Sequence, residues 1–166
     1  DCGCAYRDPA EKALGEQSIA WTLAHTGQAA KDFMRALPFD LRFEMGGWRV
    51  RLVHGSPRKV NEYLFEDKPD SLYERLARVG ECDVLVFGHT HKPWIRDHGG
   101  VRFVNCGSVG KPKDGDARAA FAILELVDGG IDARIERVAY DAARVAREVA
   151  AAGLPAVYGD KLLTAD

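Results

Sequence analysis

The sequence predicts an α/β protein built around at least one strand that is buried on both faces. Residues 84–87 are a short, unbroken apolar run that ends at Gly88, which is typical of such a strand. Elsewhere apolar residues recur at helical spacing or at every second position, so helices and half-buried strands accompany this run. The 166 residues suffice for a substantial core, and we expect residues 1–166 to form a single domain.

Composition and charge exclude several classes of protein. The hydrophobic fraction of 46% and the charged fraction of 29% are those of an ordinary globular protein. A formal net charge of −2 gives no reason to expect nucleic acid or an anionic membrane as a partner. No apolar run approaches the roughly 20 residues that span a bilayer, and no secretory segment opens the chain. The four cysteines form no paired framework, so we predict a cytoplasmic, reducing location. They are Cys2, Cys4, Cys82 and Cys106.

The first residues of the chain give two expectations. Cys2 and Cys4 form a single C-x-C pattern without the second pair that a zinc site needs, so we interpret them as incidental thiols. The chain begins with Asp1 rather than methionine, and no targeting segment accounts for this. We therefore expect that the sequence is a piece of a longer polypeptide or has been processed.

Helices are predicted in two regions. A helix should begin after Asp8, because Asp8, Pro9 and Glu11 have the preferences of the N-cap, N1 and N3 positions. We expect Gly15 to weaken this helix, so that a second one covers residues 17–25. Helical spacing of apolar residues predicts four more helices. They cover residues 30–37, 69–79, 140–152 and 154–163.

Strands are predicted where the hydrophobic period is two. Residues 39–45 and 48–52 alternate apolar and polar side chains on either side of Gly46 and Gly47, which is the signature of a hairpin. Three further strands are expected at residues 101–104, 119–126 and 131–138, with turns before the first and between the last two.

Three histidines follow two of the predicted strands. His54 follows the strand that ends at Val53, and His89 and His91 follow Gly88. In extended backbone, residues i and i+2 point to the same side, so His89 and His91 should converge. The carboxyl end of a buried strand is where ligands of open α/β sheets bind. Because histidine is the commonest metal-ligating side chain, this pattern predicts a metal site.

The three histidines are compatible with two kinds of metal site. They are sufficient to hold one zinc ion and a water molecule, as in a one-metal hydrolase or hydratase. Alternatively, they are part of a two-metal site for phosphoryl transfer. Two-metal sites normally contain carboxylates, and no Asp or Glu follows a buried strand here. Both alternatives stay open on the residues alone.

Three other residues are predicted to bind substrate. Arg58 can form two hydrogen bonds with a phosphate, although a lone exposed arginine is as commonly a surface charge. Asn105 and Ser108 lie in a glycine-containing loop after another strand, which either approaches a ligand or forms a tight turn. No residue is identifiable as a catalytic acid or base.

The motifs of this chain resemble those of the calcineurin-like metallophosphoesterase superfamily, and most of all its small bacterial and archaeal phosphodiesterase branch. They are His54-Gly-Ser-Pro, Gly88-His89-Thr90-His91 and Asn105-Cys-Gly-Ser108, within about residues 49–108. The resemblance implies an αββα sandwich of two mixed sheets flanked by helices. It also implies hydrolysis of small phosphomonoesters or phosphodiesters with two divalent metal ions (Mn, Fe, Zn or Ni). By position, His54 and His89 would ligate one metal and His91 the other.

The acidic half of that family's site has no counterpart in the sequence. The family motifs D-x-H, G-D and G-N-H-D are not found ahead of His54, so the chain resembles the carboxyl-terminal two-thirds of such an enzyme. Three neutral imidazoles do not offset the charge of two divalent ions, so we expect little or no activity from this chain alone. Without the amino-terminal strands, the strand at residues 83–87 should have an unpaired edge and apolar surface, which favours self-association. A non-catalytic protein-interaction module is the alternative.

Overall fold

The computed structural model describes residues 8–166, which fall into two compact units. The described part of the first unit is residues 8–38 with Asp141–Thr164, and the second unit is Phe39–Tyr140 with Ala165–Asp166. The C-x-C pattern of Cys2 and Cys4 lies outside the described residues. That the whole chain forms one domain stays a prediction.

The described residues form five helices and seven strands. The helices are α1 (Pro9–His25), α2 (Gln28–Ala36), α3 (Asp70–Gly80), α4 (Ala142–Ala151) and α5 (Ala156–Thr164). The strands are β1 (Asp40–Met45), β2 (Trp48–Val53), β3 (Val84–Phe87), β4 (Trp94–His98), β5 (Val101–Asn105), β6 (Ala119–Val127) and β7 (Gly130–Val138). Among these residues, none of the helices has both the length and the apolar character needed to cross a membrane.

The first unit contains α1, α2, α4 and α5. Asp8 caps α1 by accepting a hydrogen bond of 2.9 Å from the backbone N–H of Ala10. The helix continues through Gly15, so the prediction of two helices divided there was wrong. A glycine costs about 1 kcal/mol in a helix, which is too little to end one with a good cap. A hydrogen bond of 2.7 Å from Trp21 Nε1 to the carbonyl of Ala152 links α1 to the end of α4.

The second unit contains a mixed five-stranded sheet with the order β1-β2-β3-β5-β4, and a two-stranded antiparallel sheet of β6 and β7. β2, β3 and β5 run parallel, and β1 and β4 are antiparallel to their neighbours. The predicted α/β class is confirmed. The unpaired edge predicted for residues 83–87 was wrong, because the chain's own β2 and β5 pair with β3 on either side. Within the described residues, β1 and β4 are the edge strands of this sheet.

Two apolar layers cover the two faces of the mixed sheet. Successive side chains of a strand point to opposite faces, so Leu85 and Phe87 lie on one face and Val84 and Val86 on the other. The first pair packs with α3 through Tyr73, and the second packs with the β6–β7 hairpin. All four residues of β3 are buried. Burial on both faces explains why this strand is a continuous apolar run.

β1 is less covered than its alternating pattern would suggest. Leu41 and Phe43 are 56% and 46% exposed. They are paired with Leu52 and Val50 of β2, both of which belong to the apolar layer under the hairpin. In the described part of the chain that layer includes Met45 but not Leu41 or Phe43. The uncovered apolar surface predicted at residues 83–87 was therefore wrong, and it is β1 that presents apolar surface.

Candidate metal centre

The three predicted histidines lie at one end of the mixed sheet. His54 follows β2, while His89 and His91 follow β3. Because β2 and β3 are parallel neighbours, their carboxyl ends meet at the same edge of the sheet, where ligands of such sheets bind. All three histidines line one cavity of about 370 Å³, together with Cys106 and Ser108.

Two of the imidazoles face each other. Nε2 of His54 lies 3.0 Å from Nδ1 of His89, and the rings meet edge to face at 66°. At this separation two ring nitrogens either share a proton or direct their lone pairs at one cation. Two nitrogens about 2.1 Å from one ion are about 3.0 Å apart at the right angle of octahedral coordination, and about 3.4 Å apart at the tetrahedral angle of zinc. The spacing of His54 and His89 therefore fits a pair of ligands to one metal ion.

The surroundings of His89 keep its imidazole neutral. Burial lowers its pKa, and the nearby His54 and His91 lower it further, while the backbone of Asn61 opposes part of this fall. The ring of Tyr63 packs on His89 with 4.2 Å between ring centres. Nε2 of His89 is buried without a hydrogen bond of good geometry. Neutral imidazole is the form that binds metal, so this environment favours ligation.

His91 is oriented by a backbone carbonyl. Its Nδ1 lies 2.6 Å from the carbonyl oxygen of Lys111. A carbonyl only accepts, so Nδ1 carries the proton and donates it, and Nε2 keeps its lone pair. Burial lowers the pKa of His91; the Lys111 carbonyl opposes this, and the charges of Lys113 and Lys111 add to it. This is the arrangement that orients metal-ligating histidines in general.

The backbone of the histidine loop is not extended. His89 and His91 have φ angles of 65° and 61°, in the left-handed region, so the expectation that extended backbone aligns them was wrong. The reason is a tight turn, in which Thr90 N donates a hydrogen bond of 2.7 Å to the carbonyl of Gly88. A non-glycine residue in this region costs about 1–3 kcal/mol, and such residues cluster at functional sites.

The three imidazoles do not form a three-ligand cluster. Within residues 8–166, no three His, Cys, Asp or Glu side chains are close enough together to hold a metal ion. The structure therefore does not support the one-zinc, three-histidine alternative, because His91 is turned toward Lys111. Cys106 lines the cavity, but burial raises the pKa of its thiol, which disfavours the thiolate that metals need. The spacing of His54 and His89 is compatible with one shared cation, and a ligand role for His91 stays a prediction.

Arg58 is engaged away from the histidine cavity. Its guanidinium makes two hydrogen bonds to the Glu62 carboxylate, one of them from Nε at 3.2 Å. The Ser56 hydroxyl donates to the same carboxylate at 2.5 Å and accepts from the backbone N–H of Arg58 and Lys59 at 3.0 Å each. Arg58 is not among the residues that line the cavity. The structure thus shows a guanidinium that stabilises the loop after His54, and its predicted contact with substrate stays a prediction.

Asn105 and Ser108 are also held by their own loop. The side chain of Asn105 is fully buried and is not among the residues that line the cavity. Ser108 does line the cavity, and its hydroxyl accepts hydrogen bonds from the backbone N–H groups of Gly110 and Lys111 at 3.3 and 2.9 Å. The substrate contacts predicted for Asn105 and Ser108 both stay predictions.

Comparison with known proteins identifies the class to which this fold and site belong. Residues 10–129 match the family model of the calcineurin-like phosphoesterase superfamily domain, and the chain belongs to this superfamily. Its mixed α/β fold, with helix-flanked five-stranded sheet, is the calcineurin-like fold.

Three relatives are 24% to 27% identical to this chain in sequence. The uncharacterized protein MJ0912 of Methanocaldococcus jannaschii is 27% identical over 89% of this chain and 65% of its own length. The hypothetical protein PH1004 of Pyrococcus horikoshii superposes with a TM-score of 0.73 at 25% identity, over 82% of this chain and 54% of that one. A metallophosphoesterase of Sphaerobacter thermophilus gives 0.70 at 24% identity, over 89% and 65%. The chain therefore spans between 54% and 65% of the length of these relatives.

Proposed function

We propose that the histidine cavity serves metal-dependent hydrolysis of small phosphomonoesters or phosphodiesters. The observation that carries this proposal is the facing pair of ring nitrogens, 3.0 Å apart, in a cavity that His91 also lines. His54 and His89 would hold one divalent ion and His91 a second, with Mn, Fe, Zn or Ni as candidates. Bound divalent ions supply Lewis acidity, which lowers the pKa of water and screens phosphate charge.

The charge around the cavity suits an anionic substrate. Lys111 and Lys113 lie close enough to the histidines for their charges to lower the pKa of His91. Both histidines of the loop are kept neutral, so they add no positive charge of their own and do not compete with metal through protonation near neutral pH. We therefore expect the charges of these two lysines to attract a phosphate ester to this edge of the sheet.

We propose further that activity requires carboxylate ligands that the described residues do not bring to the cavity. Within those residues no third ligand joins His54 and His89. A two-metal site with imidazoles alone leaves the charge of the ions uncompensated, so this chain by itself should bind metal weakly and turn over slowly. A longer polypeptide that includes the acidic motifs of the superfamily should be active.

Metal titration with turnover assays tests the proposal. Calorimetry with Mn²⁺ and Zn²⁺ should detect binding by the wild-type chain and its loss in His54→Ala and His89→Ala. His25→Ala is the matched control, because His25 is exposed at the end of α1. A chromogenic phosphodiester should be hydrolysed far faster by the longer polypeptide than by this chain. Unchanged metal binding in both histidine variants, or equal robust turnover by the two polypeptides, would overturn the proposal.

A non-catalytic interaction module on the same fold is the second candidate function. It is favoured by the exposed apolar side chains of Leu41 and Phe43 on an edge strand, which is a surface suited to another chain. It predicts association through β1 and no metal affinity above that of His54→Ala. The cytoplasmic location also stays a prediction.

A further inference from the structure

Asn105 lies beside the point where the histidine loop begins. It is the last residue of β5, and its register partner on β3 is Phe87, directly before Gly88. Its side chain is fully buried. A buried side-chain amide must find hydrogen-bonding partners within the protein, because an unpaired polar group in the interior is costly.

The partners of the Asn105 amide belong to the loops that surround the cavity. Its Nδ2 donates to the carbonyl oxygen of Gly88 at 3.2 Å and to Oγ1 of Thr90 at 2.8 Å. Its Oδ1 accepts from the backbone N–H of Gly107 at 3.0 Å. Both hydrogens of the amide nitrogen are therefore used, and no donor is left for a substrate.

The two acceptors of Asn105 lie on either side of His89. Gly88 precedes it and Thr90, whose side chain is also buried, follows it. Since His89 and His91 both have left-handed backbone, this loop would relax to a more common conformation unless its neighbours held it. The Asn105 amide holds the residues before and after His89 at once.

We propose that Asn105 is a positioning residue, whose amide fixes the loop so that His89 Nδ1 faces His54 Nε2. The effect on metal binding rests on the proposed function, while the effect on ring geometry does not. If Asn105 only stabilised the core, its substitution would lower the stability of the protein without a separate effect on the orientation of the histidine rings. The two roles therefore differ in what a well-folded variant should show.

Two variants interrupt this contact in different ways. Asn105→Asp keeps the shape and the acceptor for Gly107, but its carboxylate cannot donate to the carbonyl of Gly88. Thr90→Val replaces the hydroxyl with a methyl group of similar size, whereas Thr90→Ser keeps the hydroxyl. Val101→Ala is the matched control, because Val101 is buried at the opposite end of the same strand and truncating it destabilises the sheet without touching the loop.

Metal affinity is the first measurement. Calorimetry with Zn²⁺ should show about 10- to 100-fold weaker binding in Asn105→Asp and Thr90→Val, as is usual when a partner that orients a ligand is lost. Thr90→Ser should bind Zn²⁺ nearly as tightly as wild type, and Val101→Ala should bind it like wild type. Weaker binding in Val101→Ala to the same extent would overturn the inference, since loss of stability alone would then account for the effect.

Nitrogen NMR of the histidine rings in metal-free protein is the second measurement. The wild type should show one fixed tautomer each for His89 and His91, and Asn105→Asp and Thr90→Val should show averaged ring signals. Wild-type ring signals in a folded Thr90→Val variant would overturn the inference, even if Asn105→Asp failed to fold. If the wild type binds no metal, the proposed function is wrong. The ring signals then test by themselves whether Asn105 positions the histidine loop.

Discussion

The imidazoles of His89 and His91 are buried enough that protonation of either is disfavoured. Burial is the largest cause of the lowered pKa at both residues. A lowered pKa means that the unfolded chain binds protons that the folded chain does not. The stabilisation is therefore complete above the ordinary histidine value of about 6.5 and is lost as the pH falls through the folded pKa.

The direction of these two pKa shifts can be tested on metal-free protein. Between about pH 7.5 and about pH 5.5, the wild type should lose more stability than a variant that carries both His89→Gln and His91→Gln. The measurement is the urea midpoint of unfolding after treatment with a chelator. His25→Gln should behave like wild type, because this side chain is exposed. Equal losses in the wild type and the double variant would contradict the assigned pKa directions.

Glu62 was not among the residues selected from the sequence. Burial alone would raise the pKa of its carboxyl, but hydrogen bonds from Arg58 and Ser56 outweigh this and lower it. The Glu62 carboxylate therefore accepts the side-chain hydrogen bonds that hold the loop after His54. Its only signal in the sequence is the spacing of four residues from Arg58, which is common on any surface.

Glu62→Gln should destabilise the protein by about 1–3 kcal/mol, because the bonds from Arg58 and Ser56 lose their charged acceptor. Urea unfolding at neutral pH measures this. Glu66→Gln is a suitable control, since Glu66 is exposed in the same connection between β2 and α3. A loss no larger than that of the control would show that the Arg58–Glu62 pair contributes little.

At the residue scale, the sequence predicted which histidines matter but not how they are held. Residue type and position after a strand were enough to select His54, His89 and His91. The left-handed backbone of the loop, the contact of His91 with the Lys111 carbonyl and the burial of Asn105 depend on tertiary contacts that no local pattern encodes. For this reason the sequence did not predict that the Asn105 amide is hydrogen-bonded to Gly88 and Thr90.

At the scale of elements, the loop from His54 to Glu62 packs closely against its own backbone at Gly55. A Cβ added to Gly55 would lie 2.4 Å from the carbonyl oxygen of Val60 and 2.9 Å from the backbone nitrogen of Glu62. Neither backbone atom can rotate away as a side chain can. Glycine at this position therefore lets the loop close directly behind His54.

Gly55→Ala should destabilise the protein by about 1–3 kcal/mol through overpacking and should weaken metal binding by moving His54. Thermal unfolding and calorimetry measure the two effects. Gly110→Ala is the matched control, because a Cβ there meets nothing within 4 Å. Wild-type behaviour of Gly55→Ala in both measurements would show that the loop adjusts without displacing His54.

Elements were predicted more accurately than their neighbours in space. The apolar pattern located the described helices, apart from the division at Gly15, and every described strand except β4, because it reports directly on which side chains are covered. The order of the strands in the sheet was predicted less well. The prediction of an unpaired β3 failed because local sequence does not show that β2 would pair with it in parallel.

For the whole molecule, the exposed apolar side of β1 is the feature most relevant to association. β1 is an edge strand with Leu41 and Phe43 about half exposed. A second copy paired antiparallel about Phe43 would place Arg42 opposite Glu44, which is a favourable cross-strand pair. Such pairing is two-fold symmetric, as closed dimers usually are.

Light scattering should therefore show concentration-dependent association of this chain. Phe43→Lys should reduce it, because two lysines would face each other at the centre of the pairing. Val79→Lys is the control, since Val79 is 46% exposed and belongs to α3 rather than to β1. A wild type that stays monomeric at high concentration, or equal association in Phe43→Lys, would exclude β1 as the contact.

The hydrogen bond between Trp21 and Ala152 has a consequence for the order of folding. It joins residues that are 131 positions apart in the chain. The sheet unit is nearly continuous in sequence, from Phe39 to Tyr140, whereas the helical unit draws on segments before and after it. During synthesis α1 and α2 emerge before the sheet, whereas α4 and α5 of the same unit emerge after it. We expect the sheet to gain protection from hydrogen exchange earlier than α1 does, even though α1 is made before the sheet.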